Sequence, residues 1–152
     1  MNTQQDIEDI FSILHDGTIE SWTGNKEKLL LKVGCTYLAE LIDKDFEYFY
    51  VELNEIEKIE LDTWITPIGS TPQIFTELAH IFQAELEILS ANVKDKEIVI
   101  TCNQPFRDLN YSGGNLTLNC KSIKVFDHNR NELTIEKFEQ VCKQYWDNFG
   151  NK

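Results

Sequence analysis

Between Leu29 and Tyr37 the chain alternates. Leu29, Leu31, Val33, Cys35 and Tyr37 hold one phase, and Leu30, Lys32, Gly34 and Thr36 hold the other. Successive side chains of a strand point to opposite faces, so a period of two marks a strand with one buried face. Runs of strand-forming residues recur as TIESWT (18–23), FEYFYVEL (46–53), IEKIELDTW (56–64), a run opened by Leu86 and Ile88, EIVITC (97–102) and NLTLNCKSIKVFD (115–127). Several connections have the length and composition of tight turns, among them Gly24-Asn25, Asn54-Glu55 and Lys94-Asp95-Lys96. Parallel neighbours need crossovers of about a dozen residues or more, so short connections force antiparallel pairing. Residues 46–64 read as one hairpin turning at Asn54-Glu55.

Helical periodicity brackets these runs. Ile7, Ile10, Phe11 and Leu14 predict a helix over 4–14, ended at His15-Asp16-Gly17. Thr71 as N-cap and Pro72 at the first helical position predict a middle helix, with Ile74, Phe75, Leu78 and Phe82 as its apolar stripe. Thr134 caps a last helix carrying Phe138, Val141, Cys142, Tyr145 and Phe149. The segment from Asn103 to Gly114, with Pro105 and the Ser112-Gly113-Gly114 breaker, reads as a loop. In the last strand the apolar phase slips from Leu116, Leu118 and Cys120 to Ile123 and Val125, which predicts a bulge near Lys121-Ser122. The expected fold is α+β, one domain over 1–152. It has a single twisted, mainly antiparallel sheet of about six or seven strands, curled towards a half-barrel, with N-terminal, middle and C-terminal helices on one face.

The 14 Lys+Arg against 26 Asp+Glu leave a net charge of −12. That balance argues against nucleic acid and against anionic membranes, both of which are bound through lysine and arginine. No apolar run approaches the length of about 18 residues that a membrane span needs, and MNTQQDIEDIF has neither the basic nor the apolar region of a secretory signal. Cys35, Cys102, Cys120 and Cys142 are far apart, with no CxxC pair, and lie at apolar positions. They read as buried free thiols, which fits a cytoplasmic protein.

Motifs that carry chemistry are missing from the sequence. It has no G-x-S-x-G, no phosphate loop and no G-x-G-x-x-G. His15-Asp16 resembles a metal-binding HD pair only on paper, since Gly17 ends the helix at once; His80 and His128 stand apart from it. No metal and no cofactor is expected. Carboxylates are plentiful, and a solvated strand face accounts for them more simply than acid–base catalysis does.

The charge is uneven. Residues 1–62 hold 15 acids and 5 bases, against 11 and 9 in 63–152. Within 40–62 nine acids face only Lys44 and Lys58 and are interleaved with aromatics. Aromatic anchors rimmed by carboxylates suit a basic protein partner. Tyr48, Tyr50, Glu52, Glu57 and Glu60 are the candidate contacts, and a non-catalytic binding protein is the leading expectation. The alternative is an enzyme or small-molecule binder with a pocket between the curled sheet and its helices, lined by His15, Trp22, Tyr37 and Glu52.

The run Phe11-Ser12-Ile13-Leu14-His15-Asp16-Gly17-Thr18-Ile19, followed by a short strand, a turn and Tyr37-Leu38-Ala39-Glu40, resembles small uncharacterised bacterial α+β domains. Some of these are grouped with immunity proteins of polymorphic toxin systems. The resemblance covers about the first 40 residues. It implies a cytoplasmic bacterial protein that binds and neutralises a toxin without catalysis, and it carries over no defined functional residues.

Overall fold

The computed structural model describes residues 3–65, 73–106, 109 and 111–150. The elements run α1 (Thr3–Ile13), β1 (Thr18–Gly24), β2 (Lys28–Gly34), α2 (Thr36–Ala39), β3 (Tyr48–Ile65) and β4 (Ile74–Phe75), then α3 (Leu78–Ile81), β5 (Leu86–Lys94), β6 (Glu97–Asn103), β7 (Tyr111–Phe126), β8 (Glu132–Leu133) and α4 (Ile135–Gly150). The fold is α+β with one antiparallel sheet of eight strands, as the alternation requires. The elements beyond the expected number are small: β4 and β8 span two residues each, and α2 four.

Curling goes further than half a barrel. β1 pairs with β2, β2 with β3, β3 with β7, β7 with β6, β6 with β5, and β5 returns to β1. The ring closes at its weakest seam, where only Thr18↔Glu87 and Ile19↔Leu86 join β1 to β5. Two backbone bonds extend that seam, Asp16 N–H to Ile88 O (2.7 Å) and Ile88 N–H to Gly17 O (2.8 Å). The inward faces of the strands and the stripe of α1 share one core, in which Ile7, Ile10, Phe11, Leu29, Val33, Phe49, Ile98, Leu118 and Phe138 are fully buried. α1 packs along β5, β6 and β7, and α4 joins it through Phe138, whose ring meets that of Phe49 edge-on at 5.1 Å.

The structure departs from the sequence reading in several places. Residues 48–65 form one continuous strand, with no hairpin at Asn54-Glu55. β7 is 16 residues long and offers partners from Tyr50↔Phe126 to Ile65↔Tyr111, so the chain satisfies its backbone by continuing straight on. Glu55 absorbs the change of course with φ +51, and its N–H binds Glu27 O at 2.8 Å. The β7 phase slip is present, but the extra residue lies on the opposing strand: Ile56 faces Cys120 and Lys58 faces Asn119, leaving Glu57 as the bulge. β2 stops at Gly34, so Tyr37 lies on α2 and not on the strand.

The middle helix shrinks to Leu78–Ile81, because Ile74 and Phe75 are drawn onto the edge of β3 opposite Asp62 and Leu61. Gln73 O accepts from both Thr63 N–H (3.0 Å) and Thr63 Oγ1 (2.7 Å), which anchors that edge. Its expected cap, Thr71-Pro72, lies outside the described residues. Ser112-Gly113-Gly114 is strand and not loop. A Cβ on Gly113 would sit 2.2 Å from Cys102 O of β6, and one on Gly114 2.5 Å from Asp62 O of β3. The glycines are there because the backbones of β6 and β3 close in on β7.

Two outcomes follow. Phe138→Ala empties a fully buried aromatic site and should cost about 3–5 kcal/mol in denaturant unfolding. Native-state hydrogen exchange should find the β1–β5 seam amides, Ile88 N–H above all, opening at lower free energy than those of the β3–β7 ladder. Equal protection along both would remove the seam as the weak point.

Candidate functional site

Tyr48, Tyr50 and Glu52 alternate on β3 with the buried Phe49, Val51 and Leu53, so all three point to the outer face. The two tyrosines lie half-buried and meet edge-on, with ring centroids 5.4 Å apart. Cations lie beside them. Lys32 faces Tyr50 in the ladder and holds its Nζ 4.2 Å from the Tyr48 ring centre, and the Arg130 guanidinium carbon lies 4.6 Å from that of Tyr50. His128 stacks between Phe46 (5.1 Å) and Tyr48 (3.8 Å), its Nδ1 accepting the Glu47 N–H at 3.0 Å. Burial alone would raise the Tyr50 phenol, but hydrogen bonds with Arg130 and Tyr48 and the charges of Arg130 and Lys32 outweigh it and hold the group below its ordinary value. Tyr48 is pushed up, first by its hydrogen bond with Tyr50 and then by desolvation.

Of the acids named with these tyrosines, Glu52 follows Tyr50 on the same face of β3, and Glu57 and Glu60 lie farther along the strand. Glu52 is buried and accepts from Asn54 Nδ2 (3.1 Å), with Lys28 Nζ at 3.4 Å. Glu60 pairs with Lys58 at 3.2 Å, and the same lysine holds Glu97 at 3.1 Å. Glu57 is the exposed bulge residue. From Tyr50 to Glu60 the strand advances roughly 33 Å, at ~3.3 Å per residue. The five residues therefore lie along a stripe and do not form one compact patch.

Of the alternative pocket residues, His15 and Tyr37 meet. The Tyr37 hydroxyl donates to His15 O at 2.7 Å, and the His15 ring stacks on Trp146 at 5.7 Å. Trp22 packs near Phe82 with centroids 6.2 Å apart, and Glu52 belongs to the β3 face with Lys28. His15 and Tyr37 thus meet beside α4, whereas Trp22 and Glu52 have other neighbours.

A groove does lie between sheet and helices, bounded by α1, β7, β8 and α4, with a volume of about 530 Å³. Ile10, Ile123, Val125, Leu133 and Ile135 give it apolar walls, and Asp6, Asp9, Glu132, Glu136 and Glu139 rim it, with Lys121 and Lys124 at the β7 side. Asp6 is raised above its ordinary value, first by burial and then by Asp9, with Glu136 adding to the effect. Lys124 is paired with Glu132 at 3.7 Å. The sequence carried a signal for this rim: Asp6 and Asp9, like Glu136 and Glu139, stand at i, i+3 beside an apolar stripe and so share a helix flank.

All four cysteines are free. Burial pushes Cys102 up to about 12 and Cys35 and Cys120 to about 11, far from a nucleophilic thiolate at neutral pH. Among the described residues, no group of three or more His, Cys, Asp or Glu is placed to hold a metal ion, and no helix is long and apolar enough to cross a membrane. Comparison with known protein families, curated proteins and solved structures finds no match for this chain.

The Tyr48–Tyr50 pair has a spectroscopic consequence. Burial pushes Tyr37 and Tyr111 up, and Tyr48 is raised as well, so Tyr50 should titrate ahead of these three. Tyr50→Phe should delete that early step in an ultraviolet pH titration. Its survival in the variant would reassign the lowered group.

Proposed function

We propose that this protein is a non-catalytic binding module for a basic protein partner, and that the groove between α1, β7 and α4 receives an apolar segment of that partner flanked by lysine or arginine. The single observation that carries the reading is the groove itself: apolar walls under a rim of five carboxylates, on a chain of net charge −12. Burial first, and then the neighbouring carboxylates of Asp9 and Glu136, raise the proton affinity of Asp6. An arriving cation relieves that repulsion, and apolar burial supplies affinity while charge sets association rate and selectivity. The resemblance of about the first 40 residues to small bacterial α+β domains, some of them grouped with immunity proteins, makes a basic toxin the first partner class to test. The basic partner is the one inferred from the acidic first half of the chain, while the proposed contact surface moves from the 46–64 stripe to the groove.

The test is a binding titration with an amphipathic lysine–leucine peptide, monitored by amide chemical shifts, beside the same peptide carrying glutamate for lysine. The lysine peptide should shift residues lining the groove, and Asp6→Lys combined with Glu136→Lys should weaken it by about tenfold or more, about 1.4 kcal/mol. Shifts spread evenly over the acidic surface, or binding indifferent to the double reversal, would discard the groove as the site.

A further inference from the structure

The acidic groove leaves the cationic side of the molecule unexplained. On the outer face a pocket of about 130 Å³ opens between β1, β2, β3 and the β7–β8 turn. Its polar lining is Ser21, Thr23, Lys32, Tyr50 and Arg130, its wall includes Trp22, and no carboxylate lines it. A drug-sized ligand needs about 300 Å³ or more, whereas this space holds about four waters at ~30 Å³ each. We propose that this pocket binds a phosphate group, held by Lys32, Arg130 and the hydroxyls of Ser21, Thr23 and Tyr50.

Four observations support it. The first is the backbone of Arg130, which sits at φ +65, a conformation that favours glycine or asparagine. Asparagines flank it on both sides at 129 and 131, yet the long cation occupies the strained position. Asp127, itself buried, fixes the turn by accepting the N–H groups of Asn129 and Asn131, both at 2.9 Å. The second is pairing. Among the described residues no carboxylate lies within 4.0 Å of Arg130, and Lys32 has only Glu20 Oε1 at 3.9 Å, at the limit of an ion pair. The third is donor geometry. The Arg130 guanidinium carbon sits over the Tyr50 ring and the group is also hydrogen-bonded with the Tyr50 hydroxyl, which leaves further N–H donors of its planar fork for a ligand. Side chains from β1, β2, β3 and the turn surround the pocket from several directions, which suits the many acceptors of a tetrahedral phosphate better than a planar carboxylate. The fourth is the Tyr50 phenol, which is lowered against the opposing effect of burial by hydrogen bonds with Arg130 and Tyr48 and by the positive charges of Arg130 and Lys32. The net charge of −12 does not cancel that field, because charges beyond about 8 Å are largely screened at physiological salt.

Glu20 acts as an internal competitor. It sits at the β1 irregularity between Ile19 and Ser21, and its carboxylate lies over Gly34 beside Lys32. Removing its charge should therefore strengthen binding, whereas removing either cation should weaken it.

The experiment titrates inorganic phosphate, phenyl phosphate and acetate into the full chain at fixed ionic strength, reading amide shifts. Inorganic phosphate should saturate, with shifts centred on Ser21, Thr23, Lys32, Tyr50 and Arg130. Lys32→Met and Arg130→Asn should each weaken it by about tenfold, and Glu20→Gln should tighten it by about threefold. Asparagine tolerates the left-handed backbone at 130, so that variant keeps the turn, and an unchanged spectrum elsewhere verifies the fold. Tighter binding of phenyl phosphate, with added shifts at Trp22, would identify the phosphate as the end of a larger molecule; equal binding would identify free phosphate. Non-saturating shifts, insensitivity to both cation variants, or acetate binding as well as phosphate would overturn the proposal. Asp6→Lys leaves this pocket untouched, so its failure and that of the groove are read separately.

Discussion

β3 is hydrogen-bonded on both sides over most of its first half, to β2 from Lys28↔Asn54 to Gly34↔Tyr48 and to β7 from Tyr50 onward. A strand so placed fixes more than its own position. Its inward residues Phe49, Val51 and Leu53 fill the core, and its outward residues Tyr48, Tyr50 and Glu52 build the polar face. Beyond Asn54 the partner β2 has ended and the strand would expose an edge; β4 covers part of it through Leu61↔Phe75 and Asp62↔Ile74. The kink at Glu55 and the bulge at Glu57 adjust the ladder where β2 departs and β7 remains. Ring closure follows from the same arrangement, because β7 must reach β6 on its other side.

Much of this was legible. Period-two alternation at 29–33 and 97–102, and 3.6-residue periodicity at 7–14 and 138–145, survive unchanged as β2, β6, α1 and α4. The turn at Asp95-Lys96 is confirmed by φ values of +52 and +68. Local signals failed where a distant partner decided the outcome. Asn54-Glu55 has turn chemistry, but β7 supplies backbone partners that a turn would have left empty. Gly113-Gly114 has breaker chemistry, but close approach of β3 and β6 uses the same missing Cβ. The stripe from Ile74 to Phe82 has helical spacing, yet an unpaired strand edge claimed its first residues.

For the candidate site, the composition was legible and the grouping was not. Acidic bias and aromatic residues were read correctly from the chain, but their grouping depends on pairings among segments far apart in sequence. Lys32 and Arg130, ninety-eight positions apart, meet at one pair of tyrosines. Asp6 and Glu136 meet because α1 and α4 are neighbours. A chain with a large negative charge thus carries two faces of opposite character, an acidic groove on the helical side and a cationic pocket on the sheet. Charge counted along the sequence records the sum and loses that separation.

The paired glycines of β7 bear on how sequence variation in this protein will be read. Gly113 and Gly114 line neither the groove nor the pocket. A screen that scores binding alone would still mark both as intolerant, because any side chain there forces β3, β7 and β6 apart and disturbs every surface those strands carry. Intolerance at 113 and 114 would then measure the spacing of three backbones, and a map of function drawn from such a screen needs a parallel map of abundance before those two positions are assigned to a site.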